Sequence, residues 1–358
     1  MTSVKKQGMT KSIPCYLLIL ITLLILLFLS IIVAVSIGTM SIPIEKVYRV
    51  VLFEIFNIGD PEIWGSGGVH DVVWLIRMPR LILATAVGMA LAVCGVVMQA
   101  IVKNPLADPY ILGVSSGAYL GATLAVGLGL QMAWGGSAMG LFGCIGAFVV
   151  SILVVTIANM GGRANAVKLI LAGMAISAIC SAFSNFFVYM LDDSATTSIV
   201  HWSMGSLAGA AWDNAILILC VTVIGSLFFW TQYRNLNLML LGDDSAKTLG
   251  SDLHVWRLLY LLVSSLMVGF AVYKAGMIGF VGMVIPHAVR MIFGTNHKKL
   301  IPLAALSGAI FLVWADVFCR IVLPHNELPI GILTALIGAP VFIYLMIRKR
   351  YGFGGASK

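Results

Sequence analysis

The sequence alternates long apolar runs with short polar connections along almost its whole length. A helix needs about 20 apolar residues to cross a bilayer. Ten runs of suitable length can be marked: 15–38, 81–102, 110–130, 137–160, 166–190, 214–232, 256–274, 276–293, 300–322 and 329–347. With 60% hydrophobic and 10% charged residues, the chain is too apolar for a globule with a wetted surface. We therefore predict an all-α polytopic membrane protein of about ten transmembrane helices, in which residues 1–358 form one domain.

The positions of the basic residues predict how the chain is oriented. Net charge is +8, and sixteen of the 22 Lys and Arg residues fall in segments that ten spans would leave in the cytoplasm if the N-terminus lies there. The outer side holds the other six: Lys46, Arg49, Arg77, Arg80, Lys274 and Arg320. Cytoplasmic loops carry an excess of Lys and Arg, so both termini are predicted to be cytoplasmic. The basic balance thus reports topology, and no nucleic-acid partner is expected.

The first apolar run follows Lys5, Lys6 and Lys11 and could be taken for a signal peptide. Its core is longer than a secretory one, and no clear small-x-small cleavage site follows it. We interpret it as an uncleaved first helix, in contact with membrane lipid like the other spans.

Three segments do not fit a membrane span. Residues 39–76 mix apolar and charged positions, which indicates an outer amphipathic helix followed by the Gly-rich loop at 65–68. Residues 191–213 are predicted to form a short outer helix capped by Asp193 or Ser194. Residues 233–255 are the longest polar cytoplasmic segment and suit two short helices separated by a turn near Gly242. Asp243 and Asp244 would begin the second helix, where its dipole favours acidic residues.

The run GDDSAKT at 242–248 has a superficial likeness to a phosphate-binding loop. A P-loop requires G-x-x-x-x-G-K-[ST] after a strand, but the spacing here is one residue short and Ala246 stands in place of the second glycine. Nucleotide binding by this run is therefore not predicted. An ordered knob that a partner protein could grip and a solvated connector are both compatible with its composition.

The arginines at the outer ends of the spans are the first candidates for a binding role. Arg77 and Arg80 are three residues apart and so lie on one helix face, with Pro79 at the predicted helix start. Arg320 ends the ninth span on the same side. These cations could dock acidic groups of a soluble partner, or they could extend to lipid headgroups.

Few ionisable residues lie inside the predicted spans. Asp316 is a functional candidate at membrane depth, but an i,i+4 ion pair with Arg320 is the favoured explanation. His287, next to Pro286 and one turn before Arg290, could relay protons or be structural. Lys274, at an outer turn, could favour an anionic ligand. No catalytic set is evident, and the six cysteines fit small buried hydrophobes, so the sequence predicts no enzyme, cofactor or metal site.

Small residues recur at the spacing that allows helices to pack closely. Gly113, Gly117 and Gly121 form such a stripe on the third span, and Ala84, Gly88 and Ala92 form one on the second. The stripes indicate dense packing and carry no information about a reaction.

Five motifs in order resemble the FecCD permease family of ABC importers for ferric siderophores, haem and cobalamin. They are RMPR at 77–80, QAIVKNPLADPYILGVSSGA at 99–118, LLGDDSAKTLG at 240–250, GMIGFVGMVIPHAVR at 276–290 and ADVFCRIVLPHNELPIGILTALIGAPVFI at 315–343. The residues that carry the resemblance besides those above include Gln99, Asn104, Pro105, Pro109, Pro329 and Gly331. The similarity extends from the second span to the C-terminus.

The resemblance implies a type II importer subunit in the bacterial inner membrane. Such a subunit dimerises, with an identical copy or a paralogue, sits on two cytoplasmic ABC ATPase subunits and receives a binding protein outside. Arg77, Arg80 and Arg320 match positions that meet glutamates of the binding protein. The coupling positions match Leu241, Gly242, Asp243, Asp244, Ser245, Ala246, Lys247, Leu249 and Gly250. The pathway would follow the dimer axis, and ferric siderophore is the expected cargo, before haem and cobalamin.

A secondary transporter and a membrane-embedded enzyme are the two alternative functions. An ion-gradient-driven secondary transporter would place ionisable groups near the membrane midplane, and only Asp316 approaches that pattern. A membrane-embedded enzyme would need a catalytic cluster, which the sequence does not offer.

Overall fold

The computed structural model describes residues 13–38, 40–130, 137–160, 162–324 and 326–347, and these residues contain helices and no strand. The all-α prediction is confirmed. The helices are α1 (Ile13–Ser36), α2 (Ile44–Phe56), α3 (Pro61–Trp64), α4 (Gly68–Val102), α5 (Val114–Gly127), α6 (Ala138–Asn159), α7 (Ala166–Met190), α8 (Asp193–Ser203), α9 (Trp212–Thr231), α10 (Tyr233–Leu241), α11 (Asp243–Thr248), α12 (His254–Ala275), α13 (Val281–Phe293), α14 (His297–Ile321) and α15 (Ile330–Ile347).

Within the described residues, seven helices are long and apolar enough to cross a membrane: α1, α4, α6, α7, α9, α12 and α14. Two further apolar helices, α13 and most of α15, are shorter. The predicted span at 110–130 is helical only from Val114 to Gly127 and follows a 3₁₀ turn at Pro109–Leu112. The polytopic character is confirmed, whereas the number ten stays a prediction. We call the end of the bundle that carries Arg80 the outer end, as the charge pattern predicts.

Helix α4 lies at the centre of the bundle and is buried along almost its whole length. It packs against α9, α12, α13 and α14. Glycines permit two of these contacts: a Cβ on Gly88 would lie 2.3 Å from the carbonyl oxygen of Gly308, and a Cβ on Gly95 would lie 1.8 Å from that of Gly282. The backbones touch because no side chain separates them.

The start of α4 differs from the prediction. The helix begins at Gly68 rather than beside Pro79, and residues Asp71–Arg77 are wound as a π-helix. The amide of Met78 donates to the carbonyl of Val73, five residues earlier. Proline has no N–H for the helical ladder, and a wide π turn is one way in which a helix accommodates a local break in its hydrogen bonding. Pro79 thus marks a change of winding inside the helix.

The segment between α4 and α5 folds back into the bundle instead of forming a surface hairpin. Pro109 packs against Gly282, which itself contacts the middle of α4. The amide of Ile278 donates to the hydroxyl of Tyr110 at 3.3 Å. Gly113 ends the 3₁₀ turn with φ of 79°, a left-handed conformation that favours glycine. A Cβ on Gly113 would also lie 3.0 Å from Ser177 Oγ and 3.2 Å from Val150 Cγ1, so this glycine is closely packed, as predicted, as well as conformationally required.

The other two glycines of that stripe are packed against backbone. A Cβ on Gly117 would lie 2.6 Å from the carbonyl oxygen of Gly146, and one on Gly121 would lie 2.0 Å from that of Phe142. Helices α5 and α6 pack against each other along this line.

The two predicted outer helices are present. In α2, Val47 and Val50 are buried while most of the remaining surface is open, as an amphipathic helix requires. The cap of α8 is Asp192, whose carboxylate accepts from the amide of Ala195 at 2.7 Å. The prediction of Asp193 or Ser194 is wrong because the helix begins earlier, and both of those residues lie in its first turn.

Candidate functional site

An ion-pair cluster at the outer end brings together residues from three parts of the chain. Arg80 Nε donates to Asp316 Oδ1 at 2.8 Å, and Arg80 Nη1 contacts Glu327 Oε2 at 2.8 Å. Arg320 Nε lies 3.1 Å from Asp316 Oδ2. Asp316 is 1% exposed, and each of its two oxygens lies within ion-pair distance of one guanidinium group. The predicted Asp316–Arg320 pair is confirmed, and Arg80 and Glu327 extend it. We call Arg80, Asp316, Arg320 and Glu327 the outer cluster.

Arg77 and Arg320 also hold the outer end of α1. Arg77 donates to the carbonyls of Val35 at 2.6 Å and Met40 at 2.5 Å. Arg320 donates to the carbonyls of Ile37 at 2.9 Å and Ala34 at 3.2 Å. The last four carbonyls of a helix lack intrahelical partners, and cations are favoured there. These two arginines thus cap α1.

The structure brings the three predicted docking arginines together, but it buries all of them. Their guanidinium groups bind carboxylates and carbonyls of the chain itself, which neither the docking nor the lipid interpretation anticipated. Sequence reasoning missed Glu327, although it stands in the matched motif at 315–343. It is 247 positions from Arg80, and no local spacing links such residues.

Two cavities flank the outer cluster. One, of about 230 Å³, is lined by Arg80, Asp316 and Glu327 together with His201 and the segment 327–330. The other, of about 190 Å³, is lined by Arg77, Arg80, Arg320 and Glu327 with part of α4. Arg80 and Glu327 form the boundary between the two spaces.

The outer loop that carries Glu327 is anchored by its backbone. The amide of Leu328 donates to the carbonyl of Cys319 at 3.1 Å, and those of Ile330 and Gly331 donate to the carbonyls of Gly205 and Met204. A Cβ on Gly331 would lie 2.4 Å from the Met204 oxygen, so this contact requires glycine. Pro329 lies between these anchors. The backbone that directly follows Glu327 is therefore fixed, and the Glu327 side chain reaches Arg80.

The segment 233–255 contains two short helices, as predicted. Helix α10 ends at Leu241, Gly242 turns the chain with φ of 103°, and Asp243 and Asp244 begin α11. Leu241 is 61% exposed and Leu249 is 64% exposed, whereas Ala246 is fully buried. Ser245, Lys247 and Gly250 are also exposed. The pair therefore has an inner face that is held by the bundle and an outer face with two bare leucines.

Asp243 is the residue that ties this segment to the bundle. Its Oδ1 accepts from Arg257 at 2.6 Å and lies 3.6 Å from Lys103 Nζ. Burial alone would raise the pKa of Asp243, but the hydrogen bond and charge of Arg257 and the charge of Lys103 bring it below its usual value. Arg257 is 3% exposed and also donates to the carbonyl of Ala164 at 3.0 Å. One guanidinium therefore joins α11, α12 and the connection that precedes α7.

A second polar group links the start of α14 to the same segment. His297 Nδ1 lies 2.7 Å from Asn237 Oδ1 on α10.

A separate polar contact joins α13 to α4, where Arg290 donates to Gln99 at 2.6 Å. Gln99 in turn donates to the carbonyl of Met283 at 3.3 Å. His287 lies on the same helix as Arg290 and Pro286. Sequence reasoning named Gln99 and Arg290 only as motif positions and missed their contact.

The remaining candidates are placed as follows. Asn104 accepts from the amide of Leu106 at 3.0 Å, which closes the turn after α4 that contains Pro105. Lys274 donates to Ser137 at 3.2 Å and lies 5.1 Å from the Tyr273 ring centroid. Among the described residues, no three His, Cys, Asp or Glu side chains converge as a metal site would require.

Comparison with known proteins gives a consistent family. Residues 22–348 match the family model described as the FecCD transport family. The chain is 39% identical to the ABC transporter permease protein YvrB of Bacillus subtilis (strain 168), over 91% of this chain and 92% of that protein. It is 40% identical to the vitamin B12 import system permease protein BtuC of Citrobacter koseri, over 81% and 87%. It is 42% identical to the hemin transport system permease protein HmuU of Yersinia pestis, over 78% and 84%.

A solved structure is similar over nearly the whole chain. It is an inward-facing conformation of an ABC transporter assigned to the metal-chelate type, with a TM-score of 0.79 and 33% identity over 92% of this chain and 99% of that chain.

Proposed function

The chain belongs to the FecCD transport family, and on that premise we propose that it is the permease subunit of an ATP-driven importer for iron complexes, with a ferric siderophore as cargo. Its curated relatives, matched over 78–91% of the chain, carry the names of ABC transporter or import-system permeases. Haem and cobalamin are the alternative cargoes, since two of those relatives are named for them.

The observation that carries the proposal is the two-helix segment at 233–250. It leaves two leucines bare, with exposures of 61% and 64%, outside the predicted spans. Its first acidic residue, Asp243, is bound to the buried Arg257. A surface that is apolar on one side and rigidly tied to the membrane helices on the other suits the transfer of movement from a partner. We propose that one of two cytoplasmic ATPase subunits grips it.

We further propose that the outer cluster faces an acidic surface of an extracytoplasmic binding protein. The outer cluster itself pairs two arginines with two carboxylates, and the neighbouring Arg77, which donates to backbone carbonyls, adds one positive charge beside it. Opposite charges steer association and fix the orientation of two partners.

The translocation path is proposed to lie between two copies of this subunit. Helix α7 is poorly buried by its own chain, and it leaves large apolar side chains exposed: Val167, Leu171, Met174, Ile179, Phe183 and Phe186. A second copy, in the inner membrane with both termini cytoplasmic, would cover part of this surface.

Asp316 gives little support to an ion-gradient-driven transporter. It is bound to two arginines near the outer end of α14, so an ion that used it would have to break both pairs.

The test is the coupling of hydrolysis to uptake in proteoliposomes that contain the subunit, its ATPase and its binding protein. Replacing both Asp243→Lys and Asp244→Lys should leave ATP hydrolysis but remove uptake, because the segment then repels Arg257 and Lys103. Asp193→Lys, the same charge change on the outer helix α8, is the control. Undiminished coupling in the double variant would refute the role of the segment.

A further inference from the structure

We propose that Glu327 binds Arg80 in the free subunit at the position that a partner's carboxylate takes in the complex. Glu327 is displaced when an acidic protein surface docks. The inference rests on the proposed function and adds an exchange step to the docking.

The two carboxylates on Arg80 are not equivalent. Asp316 is 1% exposed and is shared with Arg320, so it holds the guanidinium of Arg80 in place. Glu327 is 40% exposed and binds only the other edge of that guanidinium. Water and salt reach the Glu327 side of its pair and screen it, whereas Asp316 and both of its arginines are buried, so that breaking those pairs leaves an uncompensated charge. Only the Glu327 contact is therefore easy to exchange.

The two cavities leave room for Glu327 to move away and for a partner's carboxylate to enter. The cavities of about 230 and 190 Å³ lie on either side of the Arg80–Glu327 contact. Glu327 can turn into one space while an incoming side chain enters the other. Its loop is anchored by the backbone at Leu328, Ile330 and Gly331, so the exchange needs a rotation of one side chain and leaves the helices in place.

Arg80 differs in this respect from the other two arginines. Arg77 and Arg320 donate hydrogen bonds to carbonyls at and just beyond the end of α1. A docking carboxylate could take them only by uncapping that helix. Arg80 is thus the point of contact, and Glu327 weakens the docking of any acidic partner by competing for it.

The test uses the full-length subunit in lipid nanodiscs and a fluorescein-labelled hexaglutamate peptide as the acidic probe, with affinity measured by anisotropy at low salt. Glu327→Gln should raise the affinity by about tenfold, as expected for removing one competing charge at a close pair. Glu62→Gln removes the same charge from an exposed outer residue of α3 and should leave the affinity within about twofold. Adding Arg80→Gln to Glu327→Gln should abolish the gain.

A second measurement keeps the test independent of peptide binding. Phenylglyoxal modification of arginines, followed by mass spectrometry, should be faster at Arg80 in Glu327→Gln than in the unaltered subunit and unchanged at Arg77. Equal gains in Glu327→Gln and Glu62→Gln, or a gain that survives Arg80→Gln, would overturn the proposal. Neither assay involves the ATPase, so a failure here is distinguishable from a failure of ATP-driven uptake.

Discussion

Asp316 is a buried carboxylate near the outer end of α14 that pairs with two guanidinium groups. Its pairing with Arg320 follows from i,i+4 spacing and was predictable. Its contact with Arg80 joins positions 236 apart, and that of Arg80 with Glu327 joins positions 247 apart. No rule of local spacing predicts such contacts. The sequence therefore indicated which arginines lie at this end of the bundle, but not that they are buried and paired within the chain.

Removing the shared carboxylate should be costly. Asp316→Ala leaves Arg80 and Arg320 buried without their common anion, and breaking a buried pair by removing one partner costs about 3–5 kcal/mol. We expect a lower thermal unfolding midpoint in detergent, measured by fluorescence-detected size exclusion. Glu45→Gln is the control, because its pair with Arg49 is exposed on both sides and is screened by water and salt. Equal midpoints for the two variants would contradict the role of Asp316.

Asp243 gives the segment 233–255 a defined pH dependence. The pKa of Asp243 in the folded protein lies below its usual value of about 3.9. A lowered pKa contributes stability above the unfolded value and loses it as pH falls through the folded value. Hydrogen-exchange protection of 243–250, corrected for intrinsic rates, should be constant from neutral pH to about pH 5 and fall in stronger acid. A loss of protection near neutral pH would show that another group controls the segment.

At the scale of elements, apolar run length predicted most helix ends to within a few residues. It failed where the backbone departs from a regular helix. Helix α4 starts at Gly68 because the π segment carries it past Pro79. The segment 103–113 returns into the bundle because Pro109 fits against Gly282, a contact between distant glycine and proline positions that hydropathy cannot register. The two helices around Gly242 were predictable because turn and acidic signals coincide there.

Close approach of α5 and α6 should depend on Gly121. A Cβ in Gly121→Ala would meet the carbonyl oxygen of Phe142 at 2.0 Å, and overpacking costs about 1–3 kcal/mol or more when backbone must move. Gly127→Ala, on the same helix, meets only Phe187 at 3.7 Å, an ordinary contact distance. We expect a lower unfolding midpoint and yield for the first variant and no loss for the second. A Gly121→Ala subunit as stable as Gly127→Ala would show that the helices are further apart.

At the scale of the whole molecule, several polar contacts join the segment 233–255 to the rest of the bundle. Arg257 connects Asp243 to the connection before α7, and Asn237 contacts His297 at the start of α14. Fold class and family could be predicted from the sequence because apolar runs and ordered motifs are local patterns. The polar contacts of Arg257 and Asn237 could not be predicted, because they form only after distant helices have packed.

Arg257 should be needed for coupling rather than for hydrolysis. Arg257→Gln removes the bond that links α11 to α12, so uptake per ATP hydrolysed should fall by about fivefold to a hundredfold, the range of typical coupling energies. Arg234→Gln, an exposed arginine of α10, is the control and should behave like the unaltered subunit. The assay is labelled cargo uptake against phosphate release in the same proteoliposomes, and parallel losses in both variants would refute the assignment.

The most direct measurement compares energy sources in one proteoliposome preparation. A labelled ferric siderophore, haem and cobalamin are offered with binding protein, either to the subunit alone under a proton or sodium gradient, or to the subunit with its ATPase and MgATP. The account predicts uptake of one cargo only with ATPase and ATP, and no hydrolysis by the subunit alone. Uptake by the subunit alone under an ion gradient would contradict it.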